Sequence, residues 1–337
     1  MNKCTKTAVI LVLAVAIFFS VTACQIEDPT PPTPVLPDYS ELVSVPGSTF
    51  VQCSDLDYDG DILDSNEAFS LTISGFKIAK YETVYDLWYS VSQWALTNGY
   101  SFGTAGQEGS DGVTGAAPTS ARYEPVCSVN WTSVIVWCNA YSQMKGLVPV
   151  YCSDASLTTP IKDTTASNIN DPYVNWSANG FRLPTECEWQ CAASWKGTDS
   201  SNNAFQWPAS SGKYWTPFSF ASGATADYHD AAATGLVGWY DTNSGLRSHD
   251  AGCKTPNALG IYDMSGNMRE WCWDWKGPGL GYSGVWDEYR GPLTGSEHII
   301  RGGEYGHGAV YLQVGDRSSM VPGAALIIVG FRVASTQ

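Results

Sequence analysis

The chain has 337 residues and a formal net charge of −15, with 14 Trp, 18 Tyr and 33 Gly. That charge argues against a nucleic-acid partner, because a phosphate backbone would repel it. Many large rings beside many flexible joints favour a loop-rich globular body over a helical bundle, and the length allows a large core in one or two domains.

The first element in chain order is a targeting segment. Lys3 and Lys6 precede an apolar run from Ala8 to Val21, which is of signal-peptide length and short for a membrane span. Val21-Thr22-Ala23-Cys24 resembles a bacterial lipobox. Residues 1–23 are therefore expected to be a lipoprotein signal peptide. Cys24 is expected to carry the lipids that anchor the chain at a bacterial outer membrane or cell surface. Ordinary secretion beside an unrelated cysteine is the alternative. Residues 24–39 combine the lipidated cysteine with a Pro-rich stretch that reads as a stiff spacer.

The folded body is expected over residues 40–337. Residues 42–50 alternate and contain the turn Pro46-Gly47; 69–73 and 76–79 also read as strands. One helix is expected to start at Thr83 and stop near Gly99. A second is expected to be capped by Thr132 and to end at Gly146. A third is expected after Thr185, with Glu188 closing a capping box. Residues 100–125 and 198–256 have little periodicity and are expected to be loops packed on the body. The run Asp55-Leu56-Asp57-Tyr58-Asp59-Gly60-Asp61 has DxDxDG spacing, but Asn66 stands where a calcium loop carries Glu, so it reads as an acidic loop. Cys53, Cys127, Cys138, Cys152, Cys187, Cys191, Cys253 and Cys272 remain in the mature chain. Disulfides and buried free thiols are both open for them, while their spacing gives no zinc pattern.

Three segments carry a resemblance. Gly180-Phe181-Arg182-Leu183-Pro184-Thr185-Glu186-Cys187-Glu188-Trp189, then Asn257-Ala258-Leu259-Gly260-Ile261-Tyr262-Asp263-Met264-Ser265-Gly266-Asn267-Met268-Arg269-Glu270-Trp271, then Arg301-Gly302-Gly303 with Gly330-Phe331-Arg332, resemble the formylglycine-generating-enzyme family in order and spacing. The resemblance implies an α+β, loop-rich body of the C-type-lectin-like fold. It also implies an oxidase with two terminal-segment cysteines. Those positions are His307 and Leu312 here, and no cysteine follows Cys272. Thiolate chemistry cannot be supplied by imidazole or isobutyl groups, so no enzyme activity of that kind is expected. For His307 to serve another reaction it would need a partner such as Glu304 or Asp316.

The terminal segment, about 301–332, is also similar to that of the variable proteins of diversity-generating retroelements, the treponemal ones above all, which share this fold. In those systems AAC codons are rewritten at their adenines, which excludes Lys, Glu, Gln, Met and Trp. Tyr305, Gly306, His307, Gly308, Val310, Tyr311, Asp316, Ser318, Ser319, Val321, Gly323, Ala324, Leu326, Ile327 and Ile328 fall within the allowed set; Glu304 and Met320 do not. The resemblance implies that these are interchangeable ligand-binding positions, facing an unknown ligand that is a protein or a cell-surface molecule. Arg301, Gly302, Gly303, Phe331 and Arg332 are implied to be the scaffold. A buried strand at Leu326–Val329 is the alternative for part of this stretch.

The same family resemblance implies a structural calcium ion held by the side chains of Asp263 and Glu270 and the carbonyls of Gly266 and Met268. Hard oxygen donors in a tight turn suit calcium. A turn in which the two carboxylates only hydrogen-bond to backbone amides is the alternative. A second family site at Asp227 and Asp241 matches poorly.

Overall fold

The computed structural model describes residues 37–53, 68–277 and 285–337. The signal peptide, Cys24, most of the Pro-rich stretch and the Asp55–Asp61 run lie outside the described residues. Pro46-Gly47 breaks the first alternating stretch into strands Leu42–Val45 and Ser48–Cys53. The strands Ala68–Ile73 and Phe76–Ala79 follow as expected. Phe76–Ala79 is the middle of a three-stranded antiparallel sheet, flanked by Leu42–Val45 and by the last strand, Ala334–Thr336. The two ends of the body are thereby tied to one strand.

Three helices pack around this start. The first, α1, is Tyr85–Thr97, with Val84 rather than Thr83 at its N-cap and no side-chain cap. Its orphan N–H groups are met by the chain itself: Tyr85 donates to the Glu124 carbonyl and Asp86 to the Arg122 carbonyl, each at 2.9 Å. The second, α2, is Trp131–Met144 and is capped by Asn130, whose side chain accepts from the Ser133 N–H; the expected cap Thr132 lies inside the helix. The third, α3, is Glu186–Ser194. Thr185 and Glu188 form the reciprocal capping box that the sequence implies.

A four-stranded sheet carries the C-terminal half, in the order Ser318–Met320, His298–Arg301, Arg269–Trp275, Val329–Gly330. The last pair is parallel and the others antiparallel. The main core lies between this sheet and the first two helices, where Trp88 and Trp137 stack and Phe331 meets both edge-on. The 198–256 stretch is less irregular than expected. It holds short strands at Phe205–Gln206 and Tyr214–Trp215 and helices at Ala231–Val237 and Asp241–Ser244.

Cys127, Cys138, Cys152, Cys187, Cys191, Cys253 and Cys272 are free thiols, and all but Cys253 are buried. Burial pushes Cys127 up to about 12, and Cys187 and Cys272 are also raised, so these thiols stay protonated and unreactive.

His298 is fully buried between the rings of Trp131 and Trp275, each centroid 3.7 Å away. Burial lowers its pKa to about 3. The unfolded chain takes this proton below about pH 6.5, while the folded chain holds off until about 3. His298 thus weakens the fold as pH falls through that window. Asp263, raised to about 6 by burial, opposes it between about pH 6 and 4. In an NMR titration from pH 7.5 to 5, the His298 ring signals are expected to stay fixed. A His298 midpoint near 6 would contradict the burial.

Candidate functional site

The terminal segment is built on a buried ionic frame. Arg301 is fully buried. Its guanidinium donates to Gln190 Oε1 at 2.5 Å and to the carbonyls of Val314, Gly315 and Asp316. Glu186, at the start of α3, faces Arg301 at 3.6 Å and holds Arg317 through two bonds of 2.7 and 3.0 Å. Arg332 is also fully buried. It donates to both oxygens of Glu270 at 2.6–2.9 Å and to the carbonyls of Ala79, Tyr262 and Asp263. Bidentate guanidinium–carboxylate pairs of this kind fix geometry as well as charge.

Two glycines let the chain turn off this frame. Gly302 and Gly303 have φ of 98° and 68°. A Cβ on Gly303 would overlap the Tyr311 carbonyl, and one on Gly330 would lie 2.5 Å from the Val126 carbonyl oxygen. The glycines inside the segment differ. A Cβ on Gly323 meets nothing within 4 Å; on Gly306 and Gly308 it meets only a carboxylate oxygen, at 4.0 and 3.8 Å.

The expected ligand-binding positions fall into three groups. Val321, Leu326 and Ile327 are exposed at 50%, 45% and 49%, and His307 and Gly323 are exposed as well. Their backbone is nonetheless held: the Ser128 N–H donates to the Leu326 carbonyl at 3.0 Å and the Trp131 N–H to the Pro322 carbonyl at 3.1 Å. Gly306, Gly308, Val310, Tyr311, Asp316, Ser318, Ser319, Ala324 and Ile328 are half-buried. Ile328 packs on the main core, Ser319 donates to Glu297 at 2.6 Å, and Asp316 lies 3.7 Å from Arg269. Tyr305 is the correction. Only 4% exposed, it packs on Cys127 and Met268, and its backbone is fixed by Asn267 and Ser244. It points into the body. Leu326–Val329 is not a buried strand either: only Val329 is core, in the two-residue strand Val329–Gly330.

At the positions of the family's two cysteines the structure has different occupants. Leu312 is fully buried against Ala221, Val237 and Tyr240. His307 is half exposed, and its Nδ1 hydrogen-bonds to Glu304 Oε1. Glu304 is fully buried, and its other oxygen accepts from Arg269 Nε at 2.6 Å. Tyr311 sits beside both, 5.2 Å from the His307 ring and 5.3 Å from the Arg269 guanidinium. The partner that His307 requires for acid–base work is therefore present. Arg269, Glu82, Glu186, Gln190 and Arg317 were not singled out by sequence reasoning. They are charged or amide side chains whose partners lie far off in the chain.

The acidic turn is also partly different from its expected form. Asp263, with φ of 54°, is buried; its Oδ2 accepts from the Gly252 N–H at 2.7 Å and its Oδ1 has no partner. Burial raises Asp263 to about 6 and lifts Glu82 well above the usual carboxylate range, with Asp263 and Glu270 adding to the latter. Glu82 accepts from Asn267 Nδ2 at 2.7 Å and from the Met268 N–H at 3.0 Å. Glu270 does not fit the calcium role: Arg332 holds both its oxygens, and Trp189 Nε1 donates to one at 2.8 Å. Among the described residues no group of three or more His, Cys, Asp or Glu side chains is arranged to hold a metal ion. Asp227 bonds to the His229 N–H at 3.0 Å, and Asp241 opens a four-residue helix.

Residues 28–337 match the sulfatase-modifying factor enzyme 1-like domain. The chain is 32% identical over 213 residues to the chaperone protein LppX of Paenibacillus barcinonensis, covering 61% of this chain and 64% of that one. It is 29% identical over 180 residues to the formylglycine-generating enzyme of Thermomonospora curvata, covering 48% and 51%. The chain thus spans between half and two thirds of these relatives' length. Among solved structures, Treponema denticola variable protein 1 matches with a TM-score of 0.64 and 27% identity, over 88% of this chain and 95% of that one. The α+β body described above is the C-type-lectin-like fold of this family.

Proposed function

The chain belongs to the sulfatase-modifying factor enzyme 1-like domain family, and from that premise we propose that it is a binding protein rather than an oxidase. Its terminal segment, about 301–332, is the binding surface, and a retroelement rewrites its contents to vary specificity. The observation that carries this reading is the contrast between a buried, ion-paired frame and contents with room for other side chains. Gly303 has no room for a Cβ and Arg301 and Arg332 are fully buried, whereas Gly323 faces open space, Gly306 and Gly308 meet only a carboxylate oxygen, and Val321, Leu326 and Ile327 face solvent. Exposed apolar groups on a fixed backbone are what an interaction site offers. The similarity to a variable protein agrees with it. The absence of a thiol at 307 and 312 removes the family's oxidase chemistry.

The ligand is a protein or other cell-surface molecule, and Cys24 anchors the chain by lipid at the bacterial cell surface or outer membrane. No helix of the described residues is long and apolar enough to cross a membrane. Two tests bear on this reading. The gene's neighbourhood must hold a reverse transcriptase and an AAC-rich near-copy of the terminal segment; their absence removes the diversification. Metabolic labelling with palmitate must tag the wild type and fail with Cys24→Ser; equal labelling removes the anchor.

A calcium ion at the acidic turn remains part of the proposal, with Asp263 and the carbonyls of Gly266 and Met268 as ligands and without Glu270. At a calcium concentration about 100-fold above Kd, a tight site adds roughly 2.7 kcal/mol. The melting temperature is therefore expected to rise by about 5 °C in calcium relative to chelator. Equal melting in both removes the ion.

A further inference from the structure

We propose a second ligand site, for a neutral oligosaccharide, in a cleft none of whose lining residues belongs to 301–332. Two cavities of about 280 and 530 Å³ share Trp176, Glu288 and Arg290 as their common wall. The larger is within the size range of small-molecule sites and the smaller lies just under it. The larger one has an aromatic floor. Trp273 lies perpendicular to Trp176 with centroids 5.8 Å apart, Trp275 continues it, and Tyr173 stands half exposed at the rim. Trp176 is fixed by two guanidinium groups, Arg290 at 4.1 Å and Arg182 at 5.3 Å from its ring.

The polar groups select the ligand's chemistry. Arg290 lies 3.6 Å from Glu288, and Asp171 accepts from Trp275 Nε1 at 3.1 Å. An anion entering the cleft meets these two carboxylates, and a cation meets Arg290. Neither charge is matched, whereas a ring of hydroxyls can donate to the carboxylates and accept from the guanidinium at once. One flat apolar face with hydroxyls around its edge is the form of a pyranose, and indole faces supply the complementary surface. Arg182 adds a second observation in the smaller cavity. It is 5% exposed, its terminal nitrogens are bound to Glu188 at 2.6 Å each, and its Nε–H has no acceptor. A buried donor without a partner is costly, and a ligand hydroxyl that reached it would offset that cost.

This site stands apart from the proposed function of the terminal segment, and its test separates the two. The full chain is titrated by calorimetry and saturation-transfer NMR with maltohexaose, cellohexaose and chitohexaose, beside hexagalacturonate and spermine. At least one neutral hexamer is expected to bind, and more tightly than either charged probe. Tyr173→Ala, Trp176→Ala and Arg290→Ala should each weaken it at least tenfold, with melting checked for each. Because Tyr173 is at the surface, its variant keeps the test valid if Trp176→Ala unfolds. Leu326→Asp should leave sugar binding unchanged. No binding by any neutral hexamer, tighter binding of a charged probe, or binding that survives Tyr173→Ala and Arg290→Ala overturns the proposal.

Discussion

Replacing Arg332 by Met is expected to lower the melting temperature by roughly 10 °C or to prevent folding. Arg332 is fully buried and carries three hydrogen bonds to Glu270 and three to backbone carbonyls. Without it Glu270 is a buried charge beside Glu82 and Asp263, both already pushed toward the protonated form. Breaking a buried pair from one side costs about 3–5 kcal/mol, because the remaining charge has no compensation. Adding Glu270→Gln to the same chain removes that charge, so the double variant should melt above the single one. Circular dichroism melts at pH 7 make the comparison. A single variant that melts within about 2 °C of wild type means the pair does not lock the segment.

The second large effect is expected at Gly303. A side chain there meets backbone, the Tyr311 carbonyl, at a φ of 68° that L residues adopt at a cost of about 1–2 kcal/mol. Gly303→Val should therefore destabilise by roughly 3 kcal/mol or more. Gly323→Tyr and Gly306→Ser, in the same segment, should stay within about 0.5 kcal/mol of wild type, the range for surface changes. Urea unfolding resolves the difference. A Gly323→Tyr chain as damaged as Gly303→Val would mean the segment's contents are as constrained as its frame.

Much of this was legible from residues. The Thr185–Glu188 capping box and the Pro46-Gly47 break follow from local chemistry, and the structure has them; the burial of Gly302, Gly303, Phe331 and Arg332 agrees with the frame that the resemblance implied. The missed helix starts show where local chemistry stops. The first turn of α1 is satisfied by the Glu124 and Arg122 carbonyls, nearly forty residues along the chain, so no cap residue was needed. At α2, Asn130 and Thr132 are both good cap residues, and the choice rested on which oxygen reaches the Ser133 N–H. The resemblance places Tyr305 among the contact positions, and only the packing of Cys127 and Met268 around it reveals that it points inward. The ion pairs were invisible for the same reason, since Arg269 finds Glu304 across 35 residues and Arg317 finds Glu186 across 131. One signal was available. Glu304 and Met320 fall outside the rewritten codon set, and the structure gives each a place: Glu304 buried on Arg269, Met320 packed on the main core.

The central claim, a fixed frame with interchangeable contents, is tested most directly by display of two libraries of the full chain on yeast. One randomises Gly306, Gly308, Val321, Gly323, Leu326 and Ile327; the other randomises Gly303, Tyr305, Leu312 and Val329. Surface copies resistant to protease report folding. Most members of the first library should fold, and selection on unrelated proteins should yield binders from it, while few members of the second should survive. Equal loss in both libraries, or a folded first library that gives no binder to any target, would contradict the account.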